Sequence, residues 1–262
     1  MKQLKDILFG VSIEQTSGSV DKQISEIAYD SRNVIPDGVF VAIKGDASDG
    51  HDYIDVAIKQ GASVILIEDQ TINDGIGVTY IRVRDTRVAL AVMAANYYDH
   101  PSHNIDLIGI TGTNGKTTIA SLSYELFSQM GYAVGLLSTV AIKYSSQTIP
   151  ATHTTPDPLV INHHLRAMVD LGLGFCFMEV SSHGIHQGRI HGLQFKGGVF
   201  TNLTHDHLDY HSTFKAYRDS KKMLFDRLNN SAFALVNSDD KNAKVMVQNC
   251  KAKIYTLSLI HI

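Results

Sequence analysis

The stretch IDLIGITGTNGKTTIASLSYELFSQMG, residues 105–131, decides the fold. Its first six residues, Ile105 to Ile110, form an apolar run with the length and branching of a buried strand. Thr111-Gly112-Thr113-Asn114-Gly115 follows as a glycine-rich turn. From Lys116 the apolar residues return at helical spacing, and Gly131 ends them. Strand, glycine turn and helix in that order are the plan of a phosphate-binding loop. Glycines let the backbone curl so that successive N–H groups face phosphate oxygens, and the helix N-terminus adds partial positive charge. Lys116 is placed to reach the β- and γ-phosphates, and the Thr117 hydroxyl to bind Mg²⁺. The strict G-x-x-x-x-G-K-[ST] pattern is not met, because Ile110 stands at its first glycine; the shorter G-x-x-G-K-T remains.

Working outward, the same rhythm repeats on the C-terminal side. AVGLLST (133–139) reads as a strand, a helix runs from near Pro158 to before Gly172, and FCFMEV (175–180) is a strand. GVFTNL (198–203) is another, Thr213 to Leu228 is a helix, and FALVN (233–237) and AKIYTL (252–257) are strands. Apolar strands alternating with helices make a mostly parallel sheet covered on both faces. On the N-terminal side, IAYDSRNV and GVFVAI read as strands, followed by the loop KGDASDGHDY. Tyr53 to Gln60 has helical spacing ended by Gly61, and SVILIE (63–68) and VTYIRV (78–83) are strands. Asp85 caps a helix that runs to Tyr98, where Asp99-His100-Pro101-Ser102 breaks it. The domain boundary falls at about 99–104. The fold class is therefore α/β: a small N-terminal α/β domain over 1–100, then a P-loop-type, mostly parallel sheet domain over 101–262.

At 262 residues the chain has room for one large domain or two ordinary ones. With 44% apolar and 19% charged residues it buries a substantial core. A formal charge of −3 gives no broad attraction to nucleic acid or anionic membrane, so positive charge at a nucleotide site must be local. No apolar run approaches the ~20 residues needed to cross a bilayer. Met1 to Gly10 alternates Lys and Asp with Leu and Ile, unlike a signal peptide. Cys176 and Cys250 read as reduced thiols, not a disulfide framework. The expectation is a cytoplasmic monomer with no nucleic-acid partner and no membrane insertion.

Beyond the loop, Glu179 ends a strand, where ligands of open α/β sheets collect. A carboxylate there suits a metal bridging β- and γ-phosphate oxygens, and equally a solvated strand end. The segment THDHLDYH (204–211) also follows a strand. His205 and His207 could face one metal, as could His207 and His211 on a helical turn; a loop whose histidines bond backbone groups is the plainer reading. Lys221 and Lys222 lie on an amphipathic helix, where a lysine pair is usually solvated.

Seven segments carry a resemblance: DSRNV (30–34), DGHDY (49–53), TGTNGKTT (111–118), TTPD (154–157), MEVSSHGIHQGR (178–189), TNLTHDHLDYH (201–211) and YRDSKKMLF (217–225). In this order, and spanning nearly the whole chain, they resemble the Mur ligase family, most of all its members that add a diamino acid to a peptidoglycan precursor. The resemblance implies that the N-terminal domain binds UDP and the central domain ATP. It implies that Gly112, Thr113, Asn114, Gly115, Lys116, Thr117 and Thr118 cradle ATP, and that Thr117, Glu179 and His207 are Mg²⁺ ligands. Lys221 matches a lysine that the family carries as a carbamate, formed with CO₂, which gives a carboxylate to a second Mg²⁺. Catalysis would then rest on Lys116, Lys221 and His207. Ser31 and the 49–53 loop with His51 would hold the UDP end. Thr154, Thr155, Ser181, Gln187 and Arg189 would hold the muramoyl-peptide. Ser220 stands where family members usually have alanine.

The implied partners are a UDP-N-acetylmuramoyl-dipeptide and a diamino acid, meso-diaminopimelate before L-lysine. The substrate carboxylate would attack the γ-phosphate of ATP, and an amine would displace phosphate from the acyl phosphate. The resemblance also implies a third, C-terminal domain that selects the amino acid. The chain stops before it and closes on SLIHI (258–262) without a capping signal. A fragment is expected, or a few foreign terminal residues, with weak binding and little turnover alone. Among other readings, the D-alanyl-D-alanine-adding ligase should lack the TTPD, EVSSH and DHLDYH set, and folylpolyglutamate synthetase the first domain. A binuclear amidohydrolase would suit His205-x-His207 with a carbamylated lysine, but the phosphate loop and the lack of eight βα units oppose it. A non-catalytic nucleotide-binding module is the last alternative.

Overall fold

The computed structural model describes residues 1–45, 48–68, 77–206 and 208–260. The chain divides into two compact units, Met1–Asp99 and His100–Ile262.

The first unit holds a five-stranded sheet of β1 (Ile13–Ser17), β2 (Ile27–Ala28), β3 (Gly38–Val41), β4 (Ala62–Ile67) and β5 (Thr79–Val83). Their order is β1-β5-β4-β3-β2, parallel except for the antiparallel β1 edge. The unit also holds helices α1 (Ile54–Lys59) and α2 (Thr86–Tyr97), a single helical turn at Leu4–Ile7 and a small antiparallel pair of Lys2–Gln3 with Gln23–Ile24; the Asp85 carboxylate accepts the Val88 N–H at 3.0 Å to start α2. The helical turn at Leu4–Ile7 and the small strand pair were not expected, and two further segments differ from the sequence expectation. IAYDSRNV is a strand only at Ile27–Ala28, because the Asp30 side chain accepts the Arg32 N–H and turns the chain into a 3₁₀ helix at Ser31–Asn33. β1 was not expected at all; its residues are mostly exposed, so no buried alternation marks it.

The second unit is built on eight strands: β6 (Asp106–Thr111), β7 (Val134–Leu137), β8 (Ala141–Tyr144), β9 (Gln147–Pro150), β10 (Phe175–Glu179), β11 (Gly197–Phe200), β12 (Phe233–Asn237) and β13 (Lys253–Leu257). They lie in the order β9-β8-β7-β10-β6-β11-β12-β13. The run from β7 to β13 is parallel, and the β8–β9 hairpin adds an antiparallel edge. Its helices are α3 (Lys116–Gln129), α4 (Pro158–Asp170), α5 (Ser182–His186), α6 (Leu208–His211), α7 (Phe214–Asp226) and α8 (Ala243–Met246). Asp157 caps α4 through the Leu159 and Val160 N–H groups, and Thr213 caps α7 through the Ala216 N–H.

Both faces of this sheet are covered. Leu107, Cys176 and Met178 share one core with Ile161, Leu165 and Met168 of α4 and Tyr217, Leu224 and Phe225 of α7. Ile108, Ile110 and Phe177, one residue out of phase, form the other core with Ala120 of α3, against which Ile119, Tyr124 and Phe127 pack. The chain leaves β6 toward β7 and β10 on one side, then crosses to β11, β12 and β13 on the other. The carboxyl end of β6 is thus where the strand order reverses, the position at which open α/β sheets take ligands. The glycine loop sits there.

Candidate active site

Gly112 and Gly115 give the loop its shape. Gly112 has φ +154°, and a Cβ there would stand 1.9 Å from Thr201 Oγ1; Gly115 has φ +85° and opens α3. No side chain caps α3, so the N–H groups of its first turn, from Lys116 to Thr118, have no intrahelical acceptor; the first i−4 bond is Ile119 N–H to Gly115 O at 2.9 Å. They form a short row of positive dipoles suited to an anion.

Two lysines close on the same loop. Lys116 Nζ donates to the carbonyls of Gly112 and Thr113, each at 2.9 Å. Lys221 Nζ, reaching in from α7, donates to the same Gly112 carbonyl at 2.9 Å and lies 4.5 Å from the centre of the Tyr217 ring. Lys221 is only 1% exposed, so it is no solvated helix face. Burial, then repulsion from Lys116, lowers its amine to about 7, with Asp206 pulling the other way. Burial also lowers Lys116, against the raising influence of Glu179 and Asp206. Two lysine amines thus meet on one carbonyl, where burial and mutual repulsion disfavour charging both at once.

Opposite them, the fully buried Glu179 at the end of β10 accepts the Thr117 hydroxyl at 2.9 Å through Oε2. It also accepts the Thr139 N–H at 2.7 Å and the Thr139 hydroxyl at 3.1 Å. With its one proton on Glu179, the Thr139 hydroxyl accepts that of Thr154, the two oxygens lying 3.1 Å apart. A hydroxyl and a carboxylate in contact at the start of α3 are a hard-oxygen pair of the kind Mg²⁺ takes. The cradle that a Cβ would fill, the two amines and this oxygen pair together fit a nucleoside polyphosphate with its cation.

A second cluster continues from Thr155. Its hydroxyl donates to the Glu179 carbonyl at 3.0 Å, accepts the Ser181 N–H at 2.9 Å and lies 3.0 Å from Ser181 Oγ. Ser181 caps α5 by accepting the Gly184 N–H. Arg189 Nη1 donates to the Thr155 carbonyl at 2.6 Å, while its Nε and Nη2 both donate to Gln187 Oε1. Thr154, Thr155, Ser181, Gln187 and Arg189 are therefore joined to Glu179 by one hydrogen-bonded chain.

His207 lies outside the described residues. Of its neighbours, His205 stacks on Phe214 at 4.8 Å between ring centres, and His211 packs against His183, His186 and Tyr217. Among the described residues no three His, Cys, Asp or Glu side chains converge as a metal group. In the first unit, Ser31 is buried at the start of its 3₁₀ helix. His51 has both ring nitrogens engaged: Nδ1 is 2.6 Å from Asp49 Oδ1, and Nε2 accepts the Glu68 N–H at 3.1 Å. That pairing makes His51 a brace for the 49–53 loop. Sequence reasoning missed Thr139, Thr201 and Asn202, which carry no charge and whose partners are remote in sequence.

A glycine loop between strand and helix, at the switch point of a parallel sheet with a strand-end carboxylate, defines the P-loop class of α/β domains. Residues 110–260 match the profile described as "Mur ligase middle domain" and residues 23–98 that described as "Mur ligase family, catalytic domain". The chain belongs to the Mur ligase family. It is 49% identical over 259 residues to the UDP-N-acetylmuramoyl-L-alanyl-D-glutamate–2,6-diaminopimelate ligase of Cytophaga hutchinsonii, covering 98% of this chain and 53% of that protein. The protein of the same name from Bacteroides fragilis is 48% identical over 257 residues, with the same coverage. A solved structure of a UDP-N-acetylmuramoyl-L-alanyl-D-glutamate–2,6-diaminopimelate ligase superposes with a TM-score of 0.80 at 27% identity, over 98% of this chain and 52% of the other. MurF from Acinetobacter baumannii shares the fold, with a TM-score of 0.65 at 19% identity over 97% of this chain and 52% of its own. The chain thus spans about half the length of the curated relatives it matches.

Proposed function

We propose that the chain carries the precursor-binding and nucleotide-binding parts of an ATP-dependent amide ligase of peptidoglycan synthesis. The reaction would add meso-diaminopimelate to UDP-N-acetylmuramoyl-L-alanyl-D-glutamate in the cytoplasm, as the names of the relatives suggest for a protein of their full length. One observation carries the reading: Lys116 and Lys221 meet on the Gly112 carbonyl, and the next loop residue, Thr117, meets Glu179. The Lys116 charge, the helix dipole and metal-type oxygens are thus assembled around a single loop, with the buried Lys221 amine beside them.

In this reading Lys116 leaves the loop carbonyls for the β- and γ-phosphoryl oxygens and stabilises the charge that builds there. Thr117 and Glu179 would hold Mg²⁺, which would supply further positive charge to the phosphoryl group. Ser31 and the 49–53 loop, braced by His51, receive the UDP end, and Thr154, Thr155, Ser181 and Gln187 the muramoyl-peptide. Arg189 pairs with the precursor carboxylate and fixes it for attack on the γ-phosphate. The resulting acyl phosphate is opened by the amine of the diamino acid, releasing phosphate. The uncharged amine, which burial beside Lys116 favours at Lys221, is the form that adds CO₂ with loss of a proton; with its place on the Gly112 carbonyl and the family resemblance, this makes Lys221 the proposed site of a carbamate. His207 is kept as a metal ligand on the family resemblance alone.

The test is ligation by a protein that carries this chain at the length of its relatives. Product should form only with ATP, Mg²⁺, the UDP-dipeptide and diaminopimelate together. Lys116→Ala should slow it by roughly 100-fold or more, as loss of one transition-state donor does. Turnover of Lys116→Ala at the wild-type rate would refute the assignment.

A further inference from the structure

Thr113 and Asn114 belong to the glycine loop, yet their N–H groups are already engaged. The Thr113 N–H donates to the Asn202 carbonyl at 2.9 Å, and the Asn114 N–H to Asn202 Oδ1 at 3.0 Å. On the other side of the same residue, Asn202 Nδ2 donates to the Asn114 carbonyl at 3.2 Å, and the Thr201 hydroxyl donates to it at 2.6 Å. One side-chain amide therefore grips Asn114 at both its N–H and its C=O. The grip is anchored in turn. The Thr201 N–H donates to the Thr111 carbonyl at 3.0 Å, Asn237 Nδ2 donates to the Thr201 carbonyl at 2.9 Å, and the Leu203 N–H donates to Asp240 Oδ2 at 2.7 Å. Thr113 is held a second time, its hydroxyl accepting the Thr204 N–H at 3.0 Å.

We infer that Asn202 is a positioning residue for the nucleotide: it clamps Asn114 so that the first turn of α3, rather than the 113–114 peptides, presents its N–H groups to the phosphates. The inference rests on the reading of the loop as a triphosphate site. Its physical basis is donor accounting. A backbone N–H makes one strong bond, so groups spent on Asn202 are lost to a phosphate, whereas those of Lys116, Thr117 and Thr118 have no intrahelical acceptor. A loop held at two peptides also loses less freedom when the anion arrives.

The test uses the 262-residue chain, wild type, Asn202→Ala and Asn202→Asp. Amide hydrogen exchange is read at Asn114 and at Leu107 to Ile110 of β6, and affinity for ATP·Mg²⁺ is read by calorimetry. In Asn202→Ala the Asn114 amide should exchange roughly tenfold faster or more, with β6 unchanged, and affinity should fall roughly tenfold. Asn202→Asp keeps the acceptor for the Asn114 N–H but loses the donor to its carbonyl, so Asn114 exchange and ATP affinity should both fall between those of the wild type and Asn202→Ala; Asn114 exchange as fast as in Asn202→Ala would overturn the part given to the Oδ1 acceptor. Unchanged Asn114 exchange in Asn202→Ala overturns the clamp whatever the nucleotide does. Faster exchange with unaltered affinity overturns the positioning role. A wild-type chain that protects Asn114 but binds no ATP·Mg²⁺ overturns the triphosphate reading beneath it, and the positioning role with it.

Discussion

Lys221 shows how far a single side chain can depart from its sequence context. On an amphipathic helix beside Lys222, it would ordinarily be solvated. Instead α7 turns it inward, over the Tyr217 ring and onto the Gly112 carbonyl. The physical cost is a buried amine held at about 7, far below the 10.5 of a free lysine. Between those values the unfolded chain binds a proton that the folded chain does not, so folding stability must rise with pH across that window and be lost as pH falls through about 7. We predict that denaturant midpoints of the wild type rise from pH 7 to pH 9 relative to Lys221→Met, and that Lys221→Met is the more stable at pH 6. Parallel pH profiles for the two proteins would show that the amine is not perturbed. Nothing in the local sequence could reveal this burial, because it depends on which face of α7 meets β6 and its loop. By contrast Lys116 was legible, since its place after Gly115 fixes it relative to the loop whatever the tertiary packing.

At the scale of elements, the phosphate loop is one half of a pair. The segment from Thr201 to Thr204, after β11, is bonded to it at Thr111, Thr113 and Asn114. At Gly112 the two segments leave no room for a side chain, since a Cβ there would lie 1.9 Å from Thr201 Oγ1. Gly112→Ala should force the Thr201 hydroxyl away and distort the cradle, a strain of roughly 1–3 kcal/mol for overpacking. The expected result is an affinity for ATP·Mg²⁺ lowered roughly tenfold with far-UV circular dichroism unaltered; wild-type affinity would mean that the loop tolerates the added methyl. The helices and parallel strands of this unit were readable from periodicity, because each buries an apolar face of regular spacing. The β8–β9 hairpin and the short α5 and α8 were not read. β9 is largely exposed and α5 spans only Ser182–His186, too short to establish a helical period. In segment 201–211 the histidines stand out in the sequence, yet the described ones pack against rings, and the threonines and asparagine grip the loop.

For the whole molecule, two rhythms of strand and helix are visible in the sequence, and the chain divides at Asp99/His100 into two compact units. The family was legible because seven motifs keep their order, a pattern that no single segment carries. What sequence could not supply was convergence: that Lys116, Lys221, Thr117 and Glu179 meet around one loop, although Lys116 and Lys221 are 105 positions apart. The measurement that bears most directly on this convergence is a crystal structure of the chain soaked with ATP and Mg²⁺. The triphosphate should lie on the first turn of α3, with Lys116 Nζ moved from the Gly112 carbonyl to phosphoryl oxygens and a cation between Thr117 and Glu179. A nucleotide bound elsewhere, with both lysines still on the Gly112 carbonyl at saturating ATP, would contradict the account.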